Sequence, residues 1–387
     1  MRNSIKLLVI LVSVGDYIYL GSKFTAQESM VLLRNDGTLP INFGAFKSVA
    51  LIGPCADDPD CNTGDYNPQP AYIVTPRAAF LNRSGLTVNY ASGCADVKCT
   101  SSAGFASAVT TARSSDFVVY VGGISHTIEG EGHDRANIFL PGLQSDLITM
   151  LVQVGKPVVV VLTHGAPVVS PVYASVNAVL SAGYAGQEAG NAVYAVLTGL
   201  YNPAGHTVVT WYTNGSQLPA MTNYSMVNRT YRYMTATPLY KFGYGLSYTK
   251  FNYSHFQLSP QTDIKPCDSV EMKVTVTNIG SVVGSEVVQF YATLTNSPVT
   301  TAHIKLVGFN RVENLSQGAH AVVTVSMDPS QMTVIYDFGN VPMIVPGEYQ
   351  VYAGGSQPND HNSPSNVLSL SFTITGDPIP LSNCTSN

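Results

Sequence analysis

The hydrophobic pattern of this chain changes period once, and that change limits the kinds of domain it can build. From Gln27 to about Trp211, apolar runs of strand length alternate with stretches of helical spacing, the pattern of α/β layers around a largely parallel sheet. VALIGP (49–54), LTVNYA (86–91), FVVYVGG (117–123), PVVVVLTHG (157–165) and AVLSAG (178–183) are rich in β-branched residues and end in Gly or Pro, as buried parallel strands do. Between them, TPRAAFLN (75–82), AGFASAVTTARSS (103–115), LQSDLITMLVQV (143–154) and QEAGNAVYAVLTG (187–199) carry helical spacing and good helix formers. From Phe256 to Thr375 the period becomes two, as in Val270, Met272, Val274, Val276 and again in Leu368, Leu370, Phe372, Ile374. That predicts an all-β sandwich of immunoglobulin-like size, about 100 residues. The stretch 212–255, rich in Tyr, Pro, Asn and Gly and without a period, reads as an ordered aromatic connector, too apolar for a free linker.

Only 11% of residues are charged, so another polar surface has to keep such a chain in solution. Glycans would do it: Asn-x-Ser/Thr sequons stand at Asn82, Asn214, Asn223, Asn228, Asn252, Asn314 and Asn383. A net charge of −5 with 19 unclustered basic residues excludes a nucleic-acid or anionic-membrane surface as the partner. Six cysteines, Cys55, Cys61, Cys94, Cys99, Cys267 and Cys384, form two close pairs and one distant one, and their spacing suits disulfides rather than a metal. The expected bonds are Cys55 to Cys61, Cys94 to Cys99 and Cys267 to Cys384. At the N-terminus an apolar run from Leu7 to Val14 follows Lys6, so residues 1–23 read either as a signal peptide or as the remnant of an upstream domain. Sequons, disulfides and a leader together predict a secreted protein.

The segment most able to carry chemistry is GGISHTIEGEGHDRANIFLPGLQ, 122–144. It leaves a strand end, forms a polar loop and enters a helix, which places Glu129, Glu131, His126, His133, Asp134 and Arg135 where a doubly wound sheet binds ligands. Glycoside cleavage needs two carboxyl groups, one to protonate the leaving oxygen and, in a retaining enzyme, one to attack from about 5 to 5.5 Å away. On local sequence alone the same loop also reads as a solvated acidic turn with one salt bridge to Arg135. His164-Gly165 at a strand end and Gln187-Glu188 at a helix start are lesser candidates that more often serve structure. Trp211, the single tryptophan, is expected to pack rather than to stack a sugar. Nothing in the sequence calls for a cofactor or a metal.

GEGHDR followed by LPGLQ resembles the acid/base loop of glycoside hydrolase family 3, in its β-xylosidase, α-arabinofuranosidase and β-glucosidase branch. Other landmarks fall in the family's order: AQESMVLLRNDGTLPI (26–41) resembles the start of its second domain, VALIGP and GDYN (64–67) its first strand and loop. YAGQEAGNAVYAVLTGLYNPAGHTVVTWY (184–212) and TYRYMTATPLYKFGYGLSYTKF (230–251) match its later helix and closing aromatic segment. The resemblance implies a C-terminal α/β domain over 24–211, the connector 212–255, a fibronectin type III-like domain over 256–376 and a tail, 377–387. It implies Glu131 as acid/base, with Glu129 second, and His126, His133, Asp134 and Arg135 near an oligosaccharide or polysaccharide substrate. The family's nucleophile is an aspartate of an N-terminal (β/α)8 barrel. About 25 residues precede the first motif, and a barrel needs roughly 250, so the expectation is a chain inactive by itself.

Rival readings are a catalytically inactive glycan- or protein-binding module and a fragment of an incomplete gene model. A serine esterase would need Gly-x-Ser-x-Gly, and a nucleotide enzyme Gly-x-Gly-x-x-Gly or a P-loop; none occurs.

Overall fold

The computed structural model describes residues 14–384 apart from Tyr66, Gln69, residues 83–84, Met221, Pro298, Thr300 and residues 336–340. The chain divides into two compact units, Met1–Gly205 and His206–Asn387.

Among the described residues the first unit begins with helix α1 (Val14–Ser29) and strand β1 (Val31–Asn35), then runs β2 (Ser48–Ile52), α2 (Pro76–Leu81), β3 (Thr87–Ala91), α3 (Phe105–Arg113) and β4 (Phe117–Gly123). It closes with α4 (Gln144–Val152), β5 (Val158–Thr163), β6 (Ala178–Ser181) and α5 (Ala189–Leu197). All of the strands and helices expected between residues 49 and 199 are present. Every residue of β4 and β5 is buried, which is why their sequences read as unbroken apolar runs. Thr75 starts α2 by accepting the Ala78 N–H at 3.2 Å, and Pro76 occupies the first turn, where no N–H is needed. The strand order is β1-β6-β5-β4-β2-β3, all parallel except β1, which lies antiparallel on β6.

Two elements were not foreseen. β1 is a short edge strand, VLLRN, inside a stretch without helical or alternating grammar, and α1 lies where the sequence suggested a leader or a remnant. Residues 1–13, which carry most of the apolar run, lie outside the described residues. No helix among the described residues is long and apolar enough to cross a membrane.

Strand β2 has β3 on one side and β4 on the other, so the chain leaves β2 toward one edge and returns to build the rest of the sheet. Loops leaving the carboxyl ends of such a strand pair diverge and open a crevice, the place where open α/β sheets bind ligands. Residues 53–75 and 124–135 are those loops.

The second unit is a sandwich of two antiparallel sheets. Its strands are β7 (Phe251–Ser259), β8 (Val270–Asn278), β9 (Gly284–Leu294), β10 (Lys305–Leu315), β11 (His320–Met327), β12 (Thr333–Ile335), β13 (Pro342–Ile344), β14 (Gly347–Gly354), β15 (Val367–Ile374) and β16 (Ile379–Pro380). Sheet β10-β9-β14-β15 faces sheet β11-β8-β7 across a core that includes Val270, Met272, Val274, Val276, Phe290, Tyr349, Val351 and Phe372. The alternation read in β8 is the burial pattern observed. β12, β13 and β16 form a small third sheet, which draws the C-terminal tail in. Residues 206–250, most of them read as a connector, belong to this unit. There Trp211 is buried, with its ring edge-on to Tyr240 at 5.7 Å, and its backbone N–H donates to the Tyr240 carbonyl.

Candidate active site

At the end of β4 the chain must turn sharply away from the sheet, and Gln144, fully buried at the start of α4, fixes the point of departure. Its Oε1 accepts the Tyr120 hydroxyl and the Gly123 N–H, both at 2.9 Å, and its Nε2 donates to the Val97 carbonyl at 2.6 Å and the Gly123 carbonyl at 2.8 Å. One amide thus ties β4, α4 and the loop after β3 together with all four of its bonding positions used.

Beyond Gly123 the loop makes one turn over residues 125–129 and then a tight hairpin. Gly130 and His133 exchange N–H···O bonds of 3.2 and 3.1 Å, leaving Glu131 and Gly132 as the two turn residues. Gly132 has φ +68°, the left-handed position that a two-residue turn of this kind demands. The turn is held from the neighbouring loop. Asp65 Oδ2, in the excursion after β2, accepts the Glu131 N–H at 2.8 Å. A side chain at 130 would stand 2.9 Å from the same carboxylate oxygen, so Asp65 would have to shift from its place against the hairpin. Asp65 lies in the loop after β2 and Glu131 in the loop after β4, so the bond between them joins the two loops where the strand order reverses.

The two glutamates of this loop have opposite surroundings. Glu129 accepts the Arg135 guanidinium at 2.7 Å on Oε2 and the Ala166 N–H at 2.7 Å on Oε1, so both oxygens are engaged. Arg135, its side chain only 10% exposed, also donates to the Pro167 carbonyl at 3.1 Å. With the Val169–Ile138 and Leu140–Val169 backbone bonds, these contacts lace the loop after β4 to the loop after β5. Glu131, by contrast, is exposed at the hairpin tip, and among the described residues no hydrogen bond or ion pair engages its carboxyl. Such a group can carry a proton to and from a bound ligand; a carboxylate locked between a guanidinium and an amide N–H cannot.

The other residues singled out in the sequence separate in the same way. His133 and Asp134 are exposed beside Glu131, and His126 is half-buried at the root of the loop. Arg135 is a strut inside the loop. His164 is buried, its Nε2 2.8 Å from the Ser181 hydroxyl, and burial pushes its pKa down to about 4, so it stays neutral. Gly165 leaves no room for a side chain between Glu129 and the Tyr184 ring. The Tyr184 hydroxyl is pushed up to about 12, first by burial and then by the Glu129 charge. Glu188 is fully buried and accepts from Tyr72 and Asn191, a structural role. Asp65, Gln144 and Tyr184 were missed as site residues, although Asp65 sits in the GDYN motif and Gln144 ends LPGLQ.

All six cysteines are paired, Cys55–Cys61, Cys94–Cys99 and Cys267–Cys384, with Cα–Cα separations of 5.5, 5.0 and 5.3 Å. The first bond folds the start of the loop that carries Asp65, and the second shapes the loop whose Val97 carbonyl meets Gln144. Asn82, Asn223, Asn228, Asn252, Asn314 and Asn383 are exposed, while Asn214 is half-buried and caps a short turn through Ser216. Among the described residues no group of three His, Cys, Asp or Glu side chains could hold a metal ion.

Comparison with known proteins matches residues 30–248 to the glycosyl hydrolase family 3 C-terminal domain and residues 286–357 to a fibronectin type III-like domain. A probable exo-1,4-β-xylosidase of Aspergillus terreus is 35% identical over 383 residues, covering 91% of this chain and 46% of the relative. A β-xylosidase of Formosa agariphila is 34% identical over 87% of this chain and 48% of its own length. The chain therefore spans about half the length of the curated relatives it matches. Among solved structures, an exo-β-xylosidase bound to a xylobiose aziridine probe superposes with TM-score 0.84 at 30% identity, over 95% of this chain and 50% of that one. A β-glucosidase of Bifidobacterium adolescentis gives 0.83 at 26% identity, over 96% and 56%.

Proposed function

Because this chain belongs to glycoside hydrolase family 3, we propose that it supplies the acid/base half of a retaining exo-β-glycosidase acting on the ends of xylan-derived or β-glucoside oligosaccharides, with Glu131 carrying the proton. The observation that supports this most is the hairpin at the topological switch point. It presents one unengaged carboxyl at its tip, with its backbone pinned by Asp65 and its root pinned by Glu129 and Arg135.

In such a reaction Glu131 gives its proton to the glycosidic oxygen as the bond to the anomeric carbon breaks, and then takes a proton from the water that releases the sugar. The attacking carboxylate belongs to a second element facing the hairpin. Glu129, with both oxygens engaged, is not free to serve, and Asp65 holds the Glu131 amide through Oδ2 from the same side of the hairpin. A family barrel with its aspartate would complete the site, and it would also hold the sugar, without which acid catalysis has nothing to act on. Xylosides are the first substrates to test, since the named relatives are xylosidases. Exposed sequons and three disulfides further support a secretory route, and a mass loss on N-glycanase treatment of the secreted product would test it.

The test places a family barrel ahead of residue 24 and follows aryl β-xyloside hydrolysis. Glu131→Gln should slow substrates with poor leaving groups by about 10²–10⁴ and those with activated ones far less. Azide should rescue Glu131→Gly on the activated substrate. Turnover by the 387-residue chain alone, persisting in Glu131→Gln, would overturn both the half-site reading and the choice of acid.

A further inference from the structure

The second unit holds a cavity of about 540 Å³ on which the acid/base reading makes no demand. Its size lies within the range of about 300–1,000 Å³ usual for small-molecule sites. Tyr231 and Lys241 from the aromatic segment, His303 ahead of β10, and Asp360 and His361 from the turn between β14 and β15 line it, with Thr210 in its wall. Tyr231 is stacked on Phe242 at 4.4 Å with 12° between the rings, the Arg232 guanidinium lies 5.8 Å from its centroid and its hydroxyl accepts the Leu306 N–H at 3.1 Å, so the ring is held fixed in the wall. Lys241 donates to the carbonyls of Pro358 at 3.2 Å and Asn359 at 2.8 Å, which fixes its ammonium and keeps a third donor in hand.

Two polar atoms of the wall are unsatisfied. Thr210 is 7% exposed, and its Oγ1 is withdrawn from water with no hydrogen-bond partner among the described residues. Asp360 accepts the Asn362 N–H at 3.2 Å on Oδ1, while its Oδ2 is equally withdrawn and unpartnered. A hydroxyl and a carboxylate oxygen left so are costly unless something else completes them.

We propose that this cavity is a binding site for a neutral sugar ring, separate from the acid/base hairpin. The Lys241 ammonium and the Asp360 carboxylate are opposite in sign, so with His303 and His361 neutral the wall carries no excess of either charge. A carboxylate, an ammonium, a hydroxyl and an aromatic ring instead complement a molecule that carries adjacent donors and acceptors around an apolar C–H face. To meet a sugar hydroxyl, the Thr210 hydroxyl or the Asp360 oxygen has to turn into the cavity about a side-chain bond, which would end its isolation. The site would hold a sugar residue without cleaving it.

Saturation-transfer NMR and calorimetry on the whole chain with D-xylose, D-glucose and D-glucuronate test the proposal. Ring protons of xylose or glucose should receive saturation, and binding should weaken about five- to tenfold in Thr210→Val and in Asp360→Asn, the loss of one hydrogen bond each. Thr210→Val removes an unpartnered buried hydroxyl and should leave the thermal midpoint level or higher, so its loss of affinity would not be a loss of fold. The same titration in Glu131→Ala should be unchanged. Absence of transfer to both neutral sugars, tighter binding of glucuronate than of glucose, affinity unaltered by the two pocket variants, or a signal that vanishes in Glu131→Ala would each overturn it.

Discussion

Glu129 and Glu131 are one glycine apart and chemically identical in the unfolded chain, yet the fold gives them different work. Replacing the Glu129 carboxylate by an amide can keep an oxygen on the Ala166 N–H but leaves Arg135, 10% exposed, facing an NH2 in place of its counter-ion. Glu129→Gln should therefore lower the unfolding free energy by about 2–3 kcal/mol, less than a fully buried pair because Glu129 keeps some water contact. Glu131→Gln should leave stability unchanged. Urea melts of the two variants decide it, and equal destabilisation would refute the division of roles. His164 adds a pH dependence. Its folded pKa of about 4 lies below the unfolded value near 6.5, so its neutral form is favoured on folding. The stability it contributes is complete above about pH 6.5 and is lost as pH falls through about 4, up to about 3 kcal/mol in all. His164→Gln should flatten the decline of the thermal midpoint between those pH values, and parallel curves for variant and parent would contradict it.

The hairpin and the strand ends that launch it are a matter of elements rather than single groups. Gln144 is the test, because its amide bonds link β4, α4 and the loop after β3. Gln144→Leu fills a similar volume but strands the Tyr120 hydroxyl, the Gly123 N–H and two carbonyls, so it should cost about 3–5 kcal/mol and lower the thermal midpoint steeply. A variant as stable as the parent would mean water replaces the amide. The sequence made the elements around this site easy to read, since β2, β4 and β5 are continuous apolar runs that only a doubly covered parallel sheet explains. It could also place Glu131 on a loop at a strand end. It could not show which glutamate was locked, because the locking partners are the Ala166 amide, 37 residues on, and a guanidinium equally able to meet solvent. Asp65 was hidden for the same reason: its bond to the Glu131 amide joins residues 66 apart, and only the strand order β4-β2-β3 brings their loops together. Edge strand β1 gave no alternation to detect.

At the scale of the whole chain, two compact units with separate cores should also fail separately, and the disulfides show how. Cys267–Cys384 closes a span of 117 residues that contains β8 through β16, and Cys384 packs against the sandwich core. Cys55–Cys61 and Cys94–Cys99 close spans of 6 and 5 residues. A cross-link acts chiefly by restricting the unfolded chain, and the restriction grows with the logarithm of the span. The long bond is therefore worth up to about 5 kcal/mol, against about 2 for each short one. Replacing Cys267 and Cys384 by Ser should lower the midpoint of the second unit alone. Hydrogen exchange in the double variant should quicken for amides of β8, β9 and β14 while those of β4 and β5 keep their protection, since the first unit has no part in that loop. Replacing Cys55 and Cys61 should do the reverse, and weakly: a small loss of stability in the first unit, with faster exchange concentrated at the Asp65 loop and the Glu131 amide it holds. If loss of the long bond loosened β4 and β5 as much as β8 and β9, the two units would be folding as one, and neither the hairpin nor the sandwich could be treated as stable independently of the other.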